Sequence, residues 1–144
     1  MSSKQYKRKV APVFATYGEV MRHEHEKKVN DRIDELAKNG TVVSVFPNRV
    51  GIKPIQVVYD LIYDEGRPSD REYHRYLKSV LFLLNEIQPK EHGGEGLAES
   101  KVNEEIDKIY EAGGKVIAIV PHSLGFSPVL VLYDIIYEAE KRIE

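Results

Sequence analysis

Residues 28–64 read KVNDRIDELAKNGTVVSVFPNRVGIKPIQVVYDLIYD, and residues 101–138 read KVNEEIDKIYEAGGKVIAIVPHSLGFSPVLVLYDIIYE. With Gly40 set on Gly113 and Gly114 taken as an inserted residue, the two stretches share 15 identities in 37 paired positions. The shared residues are of two kinds. Val29, Ile33, Val42 and Val57 match Val102, Ile106, Val116 and Val131, which are apolar positions that a core would use. Pro47, Gly51 and Pro54 match Pro121, Gly125 and Pro128, which set backbone geometry. A match of this extent reads as a tandem duplication. It predicts an α+β chain of two helix–strand–strand units, with antiparallel sheet covered by helices. The first unit takes residues 1–66, a bridging helix falls in 67–90, and the second unit takes 91–144.

Periodicity assigns the elements. Lys7 to Thr16 reads as an edge strand, because Pro12 lacks the backbone donor that a central strand needs. Val29, Ile33 and Leu36 recur at helical spacing between Glu24 and Asn39, and Gly40 is placed to end that helix in a left-handed cap. Thr41 to Phe46 is a β-branched run and reads as a strand. Pro47 to Pro54 reads as a loop, and Ile55 to Tyr63 as the strand returning antiparallel to it. Ser69 to Glu72 has the pattern of a capping box. The spacing of Tyr73, Tyr76, Leu77, Val80, Leu81, Leu84 and Ile87 then predicts a helix over 70–87. The second unit repeats the series: a helix over 97–112, a strand over 115–120, a loop over 121–128 and a strand over 129–137. A helical turn is expected in 138–144.

Composition bounds the function. The chain has 144 residues, no cysteine and a net charge of −2. Disulfides, a thiol nucleophile and thiolate metal ligands are thereby excluded. Bulk attraction to nucleic acid is not expected. No apolar run is long enough to span a bilayer and no apolar signal core follows Lys7-Arg8-Lys9, so no membrane and a cytoplasmic address are expected. Residues 1–73 carry 13 basic and 11 acidic side chains, a net of +2, and residues 74–144 carry 8 and 12, a net of −4. Opposite signs suit halves that pack together or chains that associate head to tail.

Several residue sets bear on chemistry. The paired loops keep Pro, Gly and Pro while the side chains between them diverge: Asn48 and Arg49 against His122 and Ser123, and Lys53 against Ser127. One reading is that these residues only shape a connection. The other is that the loops wall one cleft, with Arg49 and Lys53 supplying contacts to an anion. Asp60 and Asp134 each interrupt an apolar run. They are either solvated on an open sheet face or buried with partners, where a matched pair could hold a cation. His122 with Asp134 or Asp60 would suit a small hydrolase, although no nucleophile motif accompanies them. His23-Glu24-His25-Glu26 is a poor chelate, so no metal and no cofactor are expected. Tyr59, Tyr63, Tyr133 and Tyr137 read as core packing, with a base-stacking platform as the alternative.

The repeat also resembles small bacterial and phage accessory proteins of the sporulation-associated type, about one repeat long. The resemblance rests on His25-Glu26-Lys27-Lys28-Val29-Asn30 before the helix, the Val42 to Phe46 strand, and Leu61-Ile62-Tyr63 at the close. It implies a non-enzymatic accessory role and carries over no catalytic residue. The expectation is therefore a non-catalytic protein that recognises a partner chain, or holds a small anionic ligand such as a nucleotide, where the two copies meet. Arg49, Lys53, Asn48, His122 and Ser123 would border that site, and a homo-oligomer is expected. A small hydrolase and a purely structural oligomer are the alternatives.

Overall fold

Valine, isoleucine and tyrosine dominate Gln56–Glu65 and Leu130–Ala139, and both stretches run as the central strands of three-stranded antiparallel sheets. The computed structural model of the chain describes residues 5–50, 56–68, 74–83, 97–124 and 130–144. In chain order its elements are β1 (Lys7–Thr16), α1 (Tyr17–Met21), α2 (His25–Ala37), β2 (Gly40–Val50), β3 (Gln56–Glu65), β4 (His74–Leu83), α3 (Leu97–Glu111), β5 (Lys115–Leu124) and β6 (Leu130–Ala139). Sheet one has the order β1-β3-β2 and sheet two the order β4-β6-β5. Each carries a register shift at the same place, between Val42 and Ser44 on β2 and between Val116 and Ala118 on β5. The α+β class, the edge strand at Lys7–Thr16 and the antiparallel strand pairs stand as expected.

The bridging helix does not. His74–Leu83 is the strand β4, paired along its length with β6. Sheet two is covered on both faces, so Tyr76, Leu77, Ser79 and Phe82 are all buried and the alternation of a half-exposed strand is lost. An apolar run without period two satisfies three- and four-residue spacing by default. The unit is thus strand–helix–strand–strand, and β4 belongs to the second sheet. The capping box at 69–72 lies outside the described residues.

Smaller corrections have local causes. Gly40 does not take a left-handed cap. It sits where a Cβ would meet the Asp64 backbone oxygen at 2.6 Å, so close approach of β2 to the end of β3 requires it. Gly114 holds the same place in sheet two, where a Cβ would lie 3.1 Å from the Glu138 oxygen. Gly113 is the extra residue, at φ +88, and it closes α3 with the N–H of Gly113 on Tyr110 O and that of Gly114 on Ile109 O. The strand β2 runs on through Val50 and β5 through Leu124, so the loops begin later than expected; their remainder lies outside the described residues. No helical turn forms at 138–144, where β6 continues to Ala139. The short helix α1 was legible in Thr16-Tyr17-Gly18-Glu19: Thr16 Oγ1 accepts from Glu19 N and Glu19 reaches back to Thr16 N.

Helix α2 joins the halves. Val29 and Ile33 pack on sheet one beside Ala11, Val13, Tyr59 and Leu61. Its polar stripe runs along the free edge of β4. There the Asn30 amide donates to Leu77 O at 2.9 Å and accepts from Leu77 N at 2.8 Å, and Glu26 accepts from Ser79 N at 2.9 Å. One turn on, Asp34 accepts from Tyr76 OH at 2.7 Å and from Arg142 at 2.6 Å. Arg75 adds a bond to the Val43 carbonyl at the bulge of β2. A buried strand edge needs such partners, because each unpaired backbone group costs about 1–3 kcal/mol. Replacing Asn30 with Leu keeps the volume and removes both bonds. Urea unfolding of Asn30→Leu should show a loss of about 2–4 kcal/mol; an unchanged midpoint would mean that the edge is satisfied by other means.

Candidate functional site

Asp134 stands at the middle of β6 and is 0% exposed. In its register row it lies between Ser79 on β4 and Val120 on β5, so all three side chains share the face turned toward the first unit. Three groups from three strands converge on its carboxylate. Ser79 Oγ donates at 2.5 Å, Tyr59 OH reaches from sheet one at 2.9 and 3.2 Å, and His122 Nε2 lies at 2.7 Å. An ionised carboxylate is acceptor-only, and this one is met on both oxygens. Burial and the neighbouring Asp134 charge push the Tyr59 hydroxyl far above its ordinary pKa, so it stays protonated and donates.

His25 lies against this cluster. Its ring stacks on Tyr59 at 6.0 Å and lies 5.5 Å from the His23 ring, at 1% exposure and with neither nitrogen hydrogen-bonded. Burial holds its pKa below the usual imidazole value, against an opposing pull from Asp134. His23 is shifted the other way by its bond to Glu26 at 3.3 Å. Glu26 is itself pushed up by burial, yet ends below its ordinary value because His23, the Ser79 N–H and Lys78 favour its charged form.

The strand ends that carry the divergent loop residues do meet. Arg49 Nη1 donates to Ser123 O at 2.8 Å and Ser123 Oγ lies 3.3 Å away. Asn48 and His122 hold the same register position, opposite Val58 and Leu132, and each turns to the aspartate of its own sheet: Asn48 Nδ2 to Asp60 at 3.3 Å, His122 to Asp134. Lys53 lies outside the described residues. Asp60 and Asp134 do not face one another. Asp60 and Tyr59 are neighbours on one strand and point to opposite faces, and it is Tyr59 that reaches Asp134, so sheet one lies between the two carboxylates. A shared cation site and a pairing of His122 with Asp60 are thereby removed.

The arrangement of hydroxyls bears on catalysis. Ser79 donates to the aspartate and not to His122, and Ser123 is engaged by Arg49. Among the described residues His122 bonds a carboxylate but no nucleophile, so the relay of a hydrolase is incomplete. Tyr59, Ser79 and His25 escaped the sequence reading. Tyr59 reads as packing, Ser79 falls inside the expected helix, and His25 reads only as part of a poor chelate. No protein-family model, curated protein or solved structure matches the chain.

His25 gives the cluster a pH signature. A histidine with a depressed folded pKa takes up its proton in the unfolded chain first, so its contribution weakens stability as pH falls below about 6.5. His23, with a raised value, acts in the opposite sense and loses its contribution as pH rises. Melting curves from pH 7.5 to 5 should show a steeper acid loss for the natural chain than for His25→Leu, which keeps His23 intact. Equal slopes would contradict a neutral buried His25.

Proposed function

We propose that the chain is a non-catalytic binding protein that holds a small anionic ligand at the junction of the β2 and β5 ends. The observation that supports this most is the Arg49–Ser123 bond, which ties the strand ends carrying the divergent side chains. Arg49 and Ser123 are exposed there; Asn48 is exposed on the Asp60 side of β2, and His122 is partly buried against Asp134. A guanidinium that spends one N–H on a backbone carbonyl keeps others for a phosphate or carboxylate. The nucleotide class fits, since the Ser123 hydroxyl adds a donor and an acceptor beside that charge. A cytoplasmic address belongs to the same reading; among the described residues no helix is long and apolar enough to cross a membrane.

The site can be tested with defined probes. Inorganic phosphate, nucleoside monophosphates and dinucleotides, titrated separately, should raise the melting temperature of the natural chain for at least one of them. Arg49→Ala should weaken that probe about tenfold, while the free protein melts within a degree or so of the natural chain, since exposed charges contribute little to folding. His122→Asn, which installs the residue found in the same register position of β2, should preserve the fold and leave any turnover of the probe at zero. Affinity that survives Arg49→Ala would defeat the assignment, and turnover lost on His122→Asn would restore the hydrolase reading.

A further inference from the structure

We infer that this chain associates head to tail with further copies of itself, through a junction that repeats the contact between its own two units. That contact has two sides. One is the face of sheet two bearing Leu77, Ser79 and Asp134, together with the free edge of β4, and all three residues are buried. The other is the α2 side of the first unit, which contributes Asn30 and Asp34 to the edge and Tyr59 to the aspartate.

Each unit holds both kinds of surface, but the chain uses each kind once. The register rows locate the unused pair. In sheet one the face corresponding to that of Asp134 carries Val10, Phe14, Phe46 and Asp60. Phe46 is 55% exposed, and Val10 and Phe14 are as open. In the second unit the α2 side is repeated by α3 and the neighbouring sheet face, where Asn103 and Asp107 stand for Asn30 and Asp34, and Tyr133 for Tyr59. Asn103 and Asp107 are exposed. Ile119 is 43% exposed where Val45, in the same row position, is 6% exposed. Val10, Phe14, Phe46 and Ile119 are therefore open where a neighbouring copy would cover them.

Among the described residues no strand pairs with the outer edge of β1. Pro12 pairs in register within β1 although it has no N–H, so its nitrogen points away from β3, and Val10 and Phe14 share that direction. The Phe14 carbonyl confirms it by accepting from Lys28 Nζ at 2.7 Å. Val10 holds the position of Leu77, which gives Asn103 of a second copy the same backbone pair that Asn30 takes. Charge selects the occupant too. Lys7, Arg8 and Lys9 flank that edge, Arg8 paired with Asp64 and Lys9 with Glu65, while α3 presents Glu99, Glu104, Asp107 and Glu111 beside Lys101 and Lys108. Lys9 takes the place of Tyr76 and would meet Asp107. The match is not complete: Pro12 replaces Ser79, so one donor to the helix glutamate and one to the aspartate are lost. The junction between copies is accordingly weaker than the one within the chain. Unlike surfaces meet, so the assembly is a ring if the rotation closes and a filament otherwise.

Light scattering on the full-length chain should give a mass of at least two copies that falls on dilution. Phe46→Glu disables one surface and Ile119→Glu the other; both sites are exposed, and circular dichroism should show either variant folded. Each alone should be monomeric. Their equimolar mixture has one intact pair of surfaces and should form a dimer that stops at two copies. Phe14→Glu and Asn103→Ala provide a second such pair if either first variant fails to fold. A natural chain that is monomeric at high concentration, single variants that still assemble, or a mixture that stays monomeric would each overturn the proposal. The last result, with monomeric variants, would point to a symmetric two-fold contact instead.

Discussion

The edge of β4 is the constraint on which the two halves depend. Three antiparallel strands cannot close on themselves, so each sheet leaves backbone donors and acceptors along its outer strands. On β4 those groups are buried, and water cannot serve them. Asn30 meets both groups of Leu77 with one amide, and Glu26, one turn earlier on the same face of α2, takes the N–H of Ser79. Helix α2 is therefore a packing element for its own sheet and an edge strand substitute for the other. Removing it would leave sheet two without a satisfied edge, which is why the units act as one core.

The same docking explains Asp134. A buried carboxylate is tolerated only when its lone pairs are met, and Ser79, Tyr59 and His122 meet them from three strands and both sheets. Asp60, at the same register position of sheet one, is met among the described residues by Asn48 alone and stays partly exposed. The difference does not lie in the two strands, which are nearly alike in sequence. It lies in what stands against them: the first unit covers the face of Asp134, whereas Val10, Phe14 and Phe46 are exposed on the face of Asp60.

That contrast marks how far the sequence could be read. The antiparallel pairs, the edge strand with Pro12 and the helices α2 and α3 follow from local pattern, because half-buried elements keep their period. Strand β4 lost its period by being buried on both faces, and Tyr76, Leu77, Val80 and Leu81 then passed for a helix. The alternatives posed for the aspartates, solvated or buried with partners, turned out to hold one for each. Choosing between them needed knowledge of packing between units, which no window of residues contains. His25 was invisible for the same reason: a histidine with no bonded nitrogen is recognised only once its surroundings are known. Comparison of the two loops sets Arg49 against Ser123 as diverged counterparts, and a bond joins the strand ends that carry them.

Amide hydrogen exchange at Leu77 and Ser79 tests the central claim most directly, since both N–H groups point away from β6 and toward α2. If α2 seals this edge, the two amides exchange only through opening of the whole domain, at the rate of the slowest amides of β6. Exchange at the pace of an open sheet edge, while β6 remains protected, would show that α2 does not hold the two halves together.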